Sequence, residues 1–235
     1  MPENTLRAQI APLLTAQPSD ALASYFALEH DPRRTKLTVR TDAQGKVLAF
    51  VAVCQTGIDL FRPMVVMRGD DTTALHEALR TALSAGRQYL FSAPVTLHSD
   101  LEAIANLYGE TPNKILTLSG ANFKPVVNIL VQTSRTPDGL LRASIKARDG
   151  SNAAEAGATW QSSRYTEVFV HVAESVRNRG LGKSVVSAVS QEILAQKRTP
   201  IYMASVDNQP SLRLAFRLGY QDTGAWELSG AMGLR

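Results

Sequence analysis

Residues Tyr165 to Lys183 read YTEVFVHVAESVRNRGLGK, and this stretch decides the fold. Its first part alternates, with Val168, Val170 and Val172 on one side and Glu167, Phe169 and His171 on the other. That is the period of a strand rich in β-branched residues. Farther on, Leu181, Val185, Val186, Val189, Ile193 and Leu194 recur at helical spacing. The turn between them is Arg177-Asn178-Arg179-Gly180-Leu181-Gly182, followed by Lys183. Glycine lets the backbone approach a ligand and adopt φ > 0. The first N–H groups of a helix have no partner inside it and face whatever sits at its end. The helix dipole and the Arg and Lys side chains add positive potential. The turn is therefore suited to a pyrophosphate. The competing reading is a solvated helix start whose glycines serve tight packing.

Downstream, Pro200 precedes a strand over 201–206, and Asn208 opens a helix that Gly219 stops, with a last strand over 220–229. Upstream, strands are expected over 141–148 and 153–160, joined by the turn Asp149-Gly150-Ser151-Asn152. Pro137-Asp138-Gly139 marks a turn-rich break and a soft boundary, giving halves 1–134 and 135–235.

The first half opens with amphipathic helices over 3–14 and 21–28, the second closed by Asp31-Pro32. A hairpin follows over 36–41 and 46–54, then a strand over 63–67 and a helix capped from Gly69-Asp70-Asp71-Thr72. A strand at Tyr89-Leu90-Phe91, a helix over 100–108 closed by Gly109, and strands over 114–118 and 126–132 complete it. Both halves read hairpin, strand, helix, strand, helix, strand, the pattern of a degenerate duplication. In the first half the counterpart of the basic turn, Met67-Arg68-Gly69-Asp70-Asp71, carries two acids, which disfavours an anion.

The 235 residues suffice for one large or two small domains, and 44% hydrophobic with 20% charged residues fits a globular chain. The net charge of +4 suits an anionic ligand, while the absence of a dense Lys/Arg run with interleaved aromatics argues against nucleic acid. One cysteine, Cys54, rules out an internal disulfide or a thiolate cluster, and the four histidines form no H-x-x-x-H pair, so no metal is expected. Cys54, at the end of an apolar strand, reads as a buried inert thiol rather than an acyl carrier. The N-terminal MPENTLRAQIAPLL lacks the pattern of a signal peptide, and no apolar run reaches the ~20 residues of a membrane span. The expectation is a cytoplasmic protein without a membrane partner. An oligomer is compatible with the sequence.

Three elements in order resemble the GNAT superfamily of N-acetyltransferases over roughly 141–228. They are the strand ending Val170-His171-Val172, the turn Arg177 to Gly182 matching Q/R-x-x-G-x-G/A, and Asn208-Gln209-Pro210-Ser211 leading to Leu218-Gly219-Tyr220. The resemblance implies a mixed α/β GNAT-like fold, with the first half a degenerate GNAT-like or substrate/interaction half. It implies acetyl-CoA as cosubstrate and an amine acceptor, a small molecule before a protein. The diphosphate would lie on Arg177, Asn178, Arg179, Gly180, Leu181, Gly182 and Lys183. The pantetheine arm would run along Val170, His171 and Val172 like an added strand, where the family splays its central strands. Asn208 and Ser211 would reach the arm; Asn208 would also serve as an N-cap.

The implied reaction needs a base for the amine, an N–H for the oxyanion and a proton for the leaving thiolate. Glu167 is the first candidate base. The family's acid often stands six residues before the strand's last valine, which here is Thr166, one residue away. His171 is the rival base; the alternative is a side chain on the helix-covered face. The family's usual acid, a tyrosine seven residues after the asparagine, is Ala215 here, with Phe216 next. Tyr165, Tyr202 and Tyr220 are the substitutes, each also readable as a core aromatic. Arg164, in the loop Gln161 to Arg164, would suit an acceptor bearing a carboxylate. The missing tyrosine keeps a second class open: a non-catalytic acyl-CoA-binding regulatory module.

Overall fold

The computed structural model describes residues 3–57 and 59–235. The first half runs α1 (Glu3–Ile10), α2 (Ala21–Ser24) with a π-helical turn Tyr25–Glu29, β1 (Thr35–Thr41), β2 (Val47–Cys54), β3 (Met64–Gly69), α3 (Thr72–Ala82), β4 (Tyr89–Pro94), α4 (His98–Ile104) and β5 (Ala105–Thr117). The second runs β6 (Gln132–Arg135), β7 (Leu141–Lys146), β8 (Asn152–Gln161), β9 (Tyr165–Val172), α5 (Leu181–Ala195), β10 (Thr199–Ser205), α6 (Gln209–Leu218) and β11 (Gln221–Leu234). The repeated element order read from the sequence is present in each half.

The chain forms two compact units, one of residues up to Asn113 with Trp226–Arg235, the other Lys114–Ala225. The division falls inside β5, not near residue 134. The end of the chain returns to the first unit, because Glu227 to Met232 of β11 pair antiparallel with Pro94 to Tyr89 of β4.

In the first unit the strand order is β1, β2, β3, β4, then β11. Its core gathers Val51, Met67, Leu75, Leu79, Phe91, Leu101 and Met232. Strands β3 and β4 pair in parallel only from Met64 to Val66 and Leu90 to Ser92. Where they part, Arg68, 7% exposed, donates to Asp20 Oδ1 at 3.0 Å and lies 3.5 Å from Glu227 Oε2. Its guanidinium also donates to the carbonyls of Met67 at 2.7 Å and Ser19 at 2.9 Å, and Ser92 Oγ donates to Glu227 Oε1 at 2.9 Å. Burial pushes the Glu227 carboxyl up against the opposing charge of Arg68. Burial also pushes Asp20 up, but the hydroxyl and N–H of Thr15 together with Arg68 hold it below the usual range.

In the second unit the order is β10, β9, β8, β7, β6. Helix α5 covers one face, its Val185, Val186, Val189 and Ile193 packing with Ala143, Ala156, Val168 and Tyr202. This is the amphipathic stripe the sequence shows.

Two expectations need correction. The helix expected over 100–108 ends at Ile104, since Ala105 is extended (φ −133°, ψ 154°) and the chain runs on as β5. Gly109 lies within that strand. The strand expected over 126–132 is irregular: Val126 N–H is taken by Ser187 Oγ at 2.8 Å and Leu130 N–H by Asn128 Oδ1 at 3.0 Å. With those donors used by side chains, the run has no ladder, and Val127 and Ile129 are 90% and 95% exposed. Among the described residues no helix is long and apolar enough to cross a membrane.

Candidate functional site

The site of the second unit is built where β9 and β10 separate. They pair in parallel only over Tyr165, Thr166 and Glu167 against Thr199, Pro200 and Ile201. Beyond Glu167, β9 continues to Val172 and β10 to Ser205 without pairing to each other. The other edge of β9 stays paired with β8 as far as Val172 opposite Ala154. The edge of 168–172 that faces β10 is thus open to an extended ligand.

The basic turn closes the far end of this opening. Asn178 (φ 63°) and Gly180 (φ 79°) both have left-handed backbone, and Gly180 is the N-cap of α5. Such alternation turns successive N–H groups to one side, a nest for an anion. Intrahelical bonding resumes at Ser184 N–H, which donates to Gly180 O at 3.2 Å. The N–H groups of Leu181, Gly182 and Lys183 precede it and have no partner within the helix.

Gly180 has open space around it and is required for its φ, whereas Gly182 is required for space. A Cβ on Gly182 would lie 2.9 Å from Val172 Cγ2 and 3.0 Å from Leu214 Cδ1. The glycine lets the helix start sit directly on the strand. Arg177 is exposed; its Nε reaches Val172 O at 3.4 Å and its Nη1 lies 3.6 Å from Glu174. Arg179 and Lys183 form no ion pair among the described residues.

Asn208 caps α6, its Oδ1 accepting from Ser211 N–H at 3.2 Å. Ser211 Oγ in turn bonds Tyr202 OH at 2.7 Å. Tyr202 and Tyr220 stack edge to face at 5.5 Å within the α5 core, and Tyr220 OH bonds Ser190 Oγ at 2.8 Å. Burial raises both phenols above their usual range. Ala215 is fully buried and Phe216 faces solvent.

Glu167 stands at the vertex, the last β9 residue paired to β10. Its side chain lies on the face opposite α5, shared with Phe169 and His171. His171 is exposed and pairs in register with Glu155, so it is not on the helix-covered face; the valines take that face. Thr166 is 0% exposed, and its hydroxyl is buried without a hydrogen-bond partner. Strand alternation puts it on the opposite face from Glu167.

A residue that the sequence gave no reason to select, Thr159, meets the Glu167 carboxylate. The register between β8 and β9 shifts after Ala158, paired with Val168, and resumes at Gln161, paired with Thr166. Thr159 and Trp160 therefore form a β-bulge opposite Glu167. Thr159 Oγ1 donates to Glu167 Oε2. Burial pushes the Glu167 carboxyl up, and the Thr159 hydroxyl opposes the rise.

Elsewhere, in the first unit, His98 Nε2 lies 2.6 Å from Glu110 and His98 Nδ1 lies 3.6 Å from Glu102. Both ring nitrogens are thus spent on carboxylates, the pattern of a surface ion-pair cluster.

The fold has counterparts among solved structures. A GCN5-related N-acetyltransferase from Kribbella flavida is 17% identical, aligning over 91% of this chain and 95% of its own, with a TM-score of 0.65. The fold is that of the GCN5-related N-acetyltransferases. An acetyltransferase of the GNAT family from Colwellia psychrerythraea aligns over 98% of this chain and 95% of its own at 10% identity and a TM-score of 0.56. A tandem GNAT protein from the clavulanic acid biosynthesis pathway aligns over 97% of this chain and 92% of its own at 15% identity, with a TM-score of 0.56. Residues 150–227 match the FR47-like protein family. None of the curated proteins matches the sequence. The GNAT fold thus extends over both halves of the chain, and the matched family segment holds the strand opening, the basic turn and the α6 cap.

Proposed function

We propose that the chain is an acetyl-CoA-dependent N-acetyltransferase that transfers the acetyl group directly to a primary amine, with a small-molecule acceptor favoured over a protein. The observation that carries this reading is the three-residue pairing of β9 with β10, which leaves 168–172 open beside a basic, left-handed turn. The diphosphate of the cosubstrate would rest on the turn from Arg177 to Lys183, the pantetheine arm along Val170, His171 and Val172. Asn208 and Ser211 would border the arm from the start of α6.

In the reaction, Glu167 accepts one proton from the acceptor ammonium, directly or through a water. The freed nitrogen attacks the thioester carbonyl carbon, and the backbone N–H groups of 170–172 stabilise the oxyanion. The C–S bond then breaks, and the second nitrogen proton leaves with the thiolate as the thiol. Glu167 returns its proton to solvent.

One observation favours a second reading, a non-catalytic acyl-CoA-binding module: Ala215 stands where the fold's usual acid would be, and Tyr202 and Tyr220 are engaged with serines in the α5 core. Release of free CoA from acetyl-CoA, followed with a thiol reagent across amino acids, polyamines and amino sugars, separates the two. The enzyme reading predicts release above the amine-free rate with at least one amine. Binding of acetyl-CoA without release for every class would favour the module.

A further inference from the structure

We infer that Arg142 selects the acceptor: its guanidinium, held on the sheet face that carries Glu167, takes the carboxylate of an amino acid whose amine is acetylated. This rests on the proposed acyl transfer with Glu167 as the proton acceptor.

Register puts Arg142 on that face. Arg142 of β7 pairs with Gly157 of β8, and Gly157 pairs with Phe169 of β9, two residues from Glu167. Residues directly opposite one another share a face, and so do residues i and i+2 of one strand. Helices α5 and α6 both pack into the core on the other face. Gly157 is the notch through which the arginine crosses the sheet. A Cβ there would lie 2.7 Å from Arg142 Cδ, from its Nη1 and from Leu141 O. In the space the glycine leaves, the guanidinium carbon lies 5.1 Å from the Phe169 ring centroid. Its Nη1 donates to the carbonyls of Leu141 at 2.8 Å and Ala158 at 2.7 Å.

Pinning one nitrogen leaves the rest of the fork for a ligand. Among the described residues Nη2 makes no hydrogen bond, and Nε lies 3.8 Å from Glu155 Oε1, beyond hydrogen-bonding distance. The other Glu155 oxygen accepts from Asn152 Nδ2 at 2.8 Å. Arg142 is half-buried, so a carboxylate that reaches it gains a charge-assisted, bidentate pair. The ring and the two carbonyls already fix its rotamer, so little side-chain freedom is lost when the carboxylate binds.

The bond to Ala158 O brings the head of Arg142 next to the row of Thr159, whose hydroxyl is on Glu167. One residue step and one to two strand spacings then separate guanidinium from carboxylate, about 6–10 Å. Hydrogen bonds from Arg142 to the acceptor carboxylate and from the acceptor ammonium to Glu167 take up about 2.8 Å each. What remains, at most about 4 Å, is the separation of amine and carboxylate in an α- or β-amino acid. The zwitterion is complementary in charge to the pair, its ammonium toward Glu167 and its carboxylate toward Arg142. Polyamines and amino sugars carry no carboxylate and leave Arg142 unmatched.

The test compares matched acceptors. CoA release by the full chain is measured with L-amino acids and β-alanine, each beside its carboxamide, and the carboxylates are expected to give the higher kcat/KM. Arg142→Met is expected to lower kcat/KM for the preferred carboxylate by about 10–100-fold, through KM, and to change that of its carboxamide by less than about threefold. Arg142→Lys, which keeps the charge without the fork, is expected to fall between. Turnover confined to amines without a carboxylate, or a preference that survives Arg142→Met, overturns the inference while acyl transfer stands. A preference lost in Arg164→Met instead does the same. A second readout needs no turnover: the Arg142 Nε–H resonance in nitrogen-15 NMR, assigned with Arg142→Lys and titrated in the presence of CoA. It is expected to shift with L-alanine and β-alanine and not with their carboxamides. Should Arg142→Met fail to fold, Arg142→Lys and this titration decide. If no amine supports CoA release, the acyl-transfer reading fails and the titration decides the carboxylate site alone; an unmoved resonance overturns it.

Discussion

Glu167→Gln is expected to lower kcat/KM for acetyl transfer by about 10²–10⁴-fold, the usual contribution of a positioned general base. The binding of acetyl-CoA is expected to change by less than about twofold, because the carboxylate acts on the amine and not on the diphosphate or the arm. Steady-state CoA release and equilibrium binding of the same variant check both halves. The contrary pattern, full activity in the variant, would remove Glu167 from the chemistry. The variant also carries a signature in stability. Burial raises the folded-state pKa of Glu167 above its usual 4.5. The folded protein thus holds this proton more tightly than the unfolded chain does. That contribution is complete below pH 4.5 and is lost as pH rises through the folded-state pKa. Glutamine does not titrate. The stability of Glu167→Gln relative to wild type is therefore expected to rise with pH across this window, measurable by urea unfolding at several pH values.

Arg68→Met is expected to destabilise the protein by about 3–5 kcal/mol, the cost of leaving a buried carboxylate without its partner. Glu227 is 2% exposed, and among the described residues Arg68 is its one cationic partner, at 3.5 Å. A domain is stable by only about 5–15 kcal/mol, so such a loss is plain in a denaturation curve. Changing Glu227 to Gln as well removes the orphaned charge. The double variant is expected to be more stable than Arg68→Met alone, with a coupling above about 1 kcal/mol. A loss below 1 kcal/mol in the single variant would mean that the network is solvated and carries little.

The contrast between the two units shows what a sequence can disclose. The basic turn was legible because its grammar is local: the residues that demand φ > 0, the unpaired helix N–H groups and the charges lie within seven consecutive positions, Arg177 to Lys183. The α6 cap was legible for the same reason. The Arg68 network was not, because its carboxylate partners lie 48 and 159 residues away and only folding brings them together. The bulge was equally hidden, since it is a property of register between β8 and β9, and nothing in Ala158-Thr159-Trp160-Gln161 marks it. The apolar run Val126 to Val131 misled through composition: β-branched residues without a partner strand make no ladder, and Ser187 took the donor a ladder would have used. His171 was assigned its two alternatives from the right alternation, but the valines, not the histidine, face the helix.

The most direct test is calorimetric titration of acetyl-CoA into the wild-type chain and into Arg179→Glu/Lys183→Glu. These side chains flank the open N–H groups and have no ion pairs among the described residues, so their reversal is expected to leave the melting temperature unchanged. One site per chain is expected in the wild type, since the corresponding turn of the first unit carries Asp70 and Asp71. Affinity is expected to fall by about tenfold or more in the double variant, as two attractive charges at a diphosphate become repulsive. No binding by the wild type, or equal binding by the variant, would contradict the placement of the cosubstrate on this turn and with it the proposed acyl transfer.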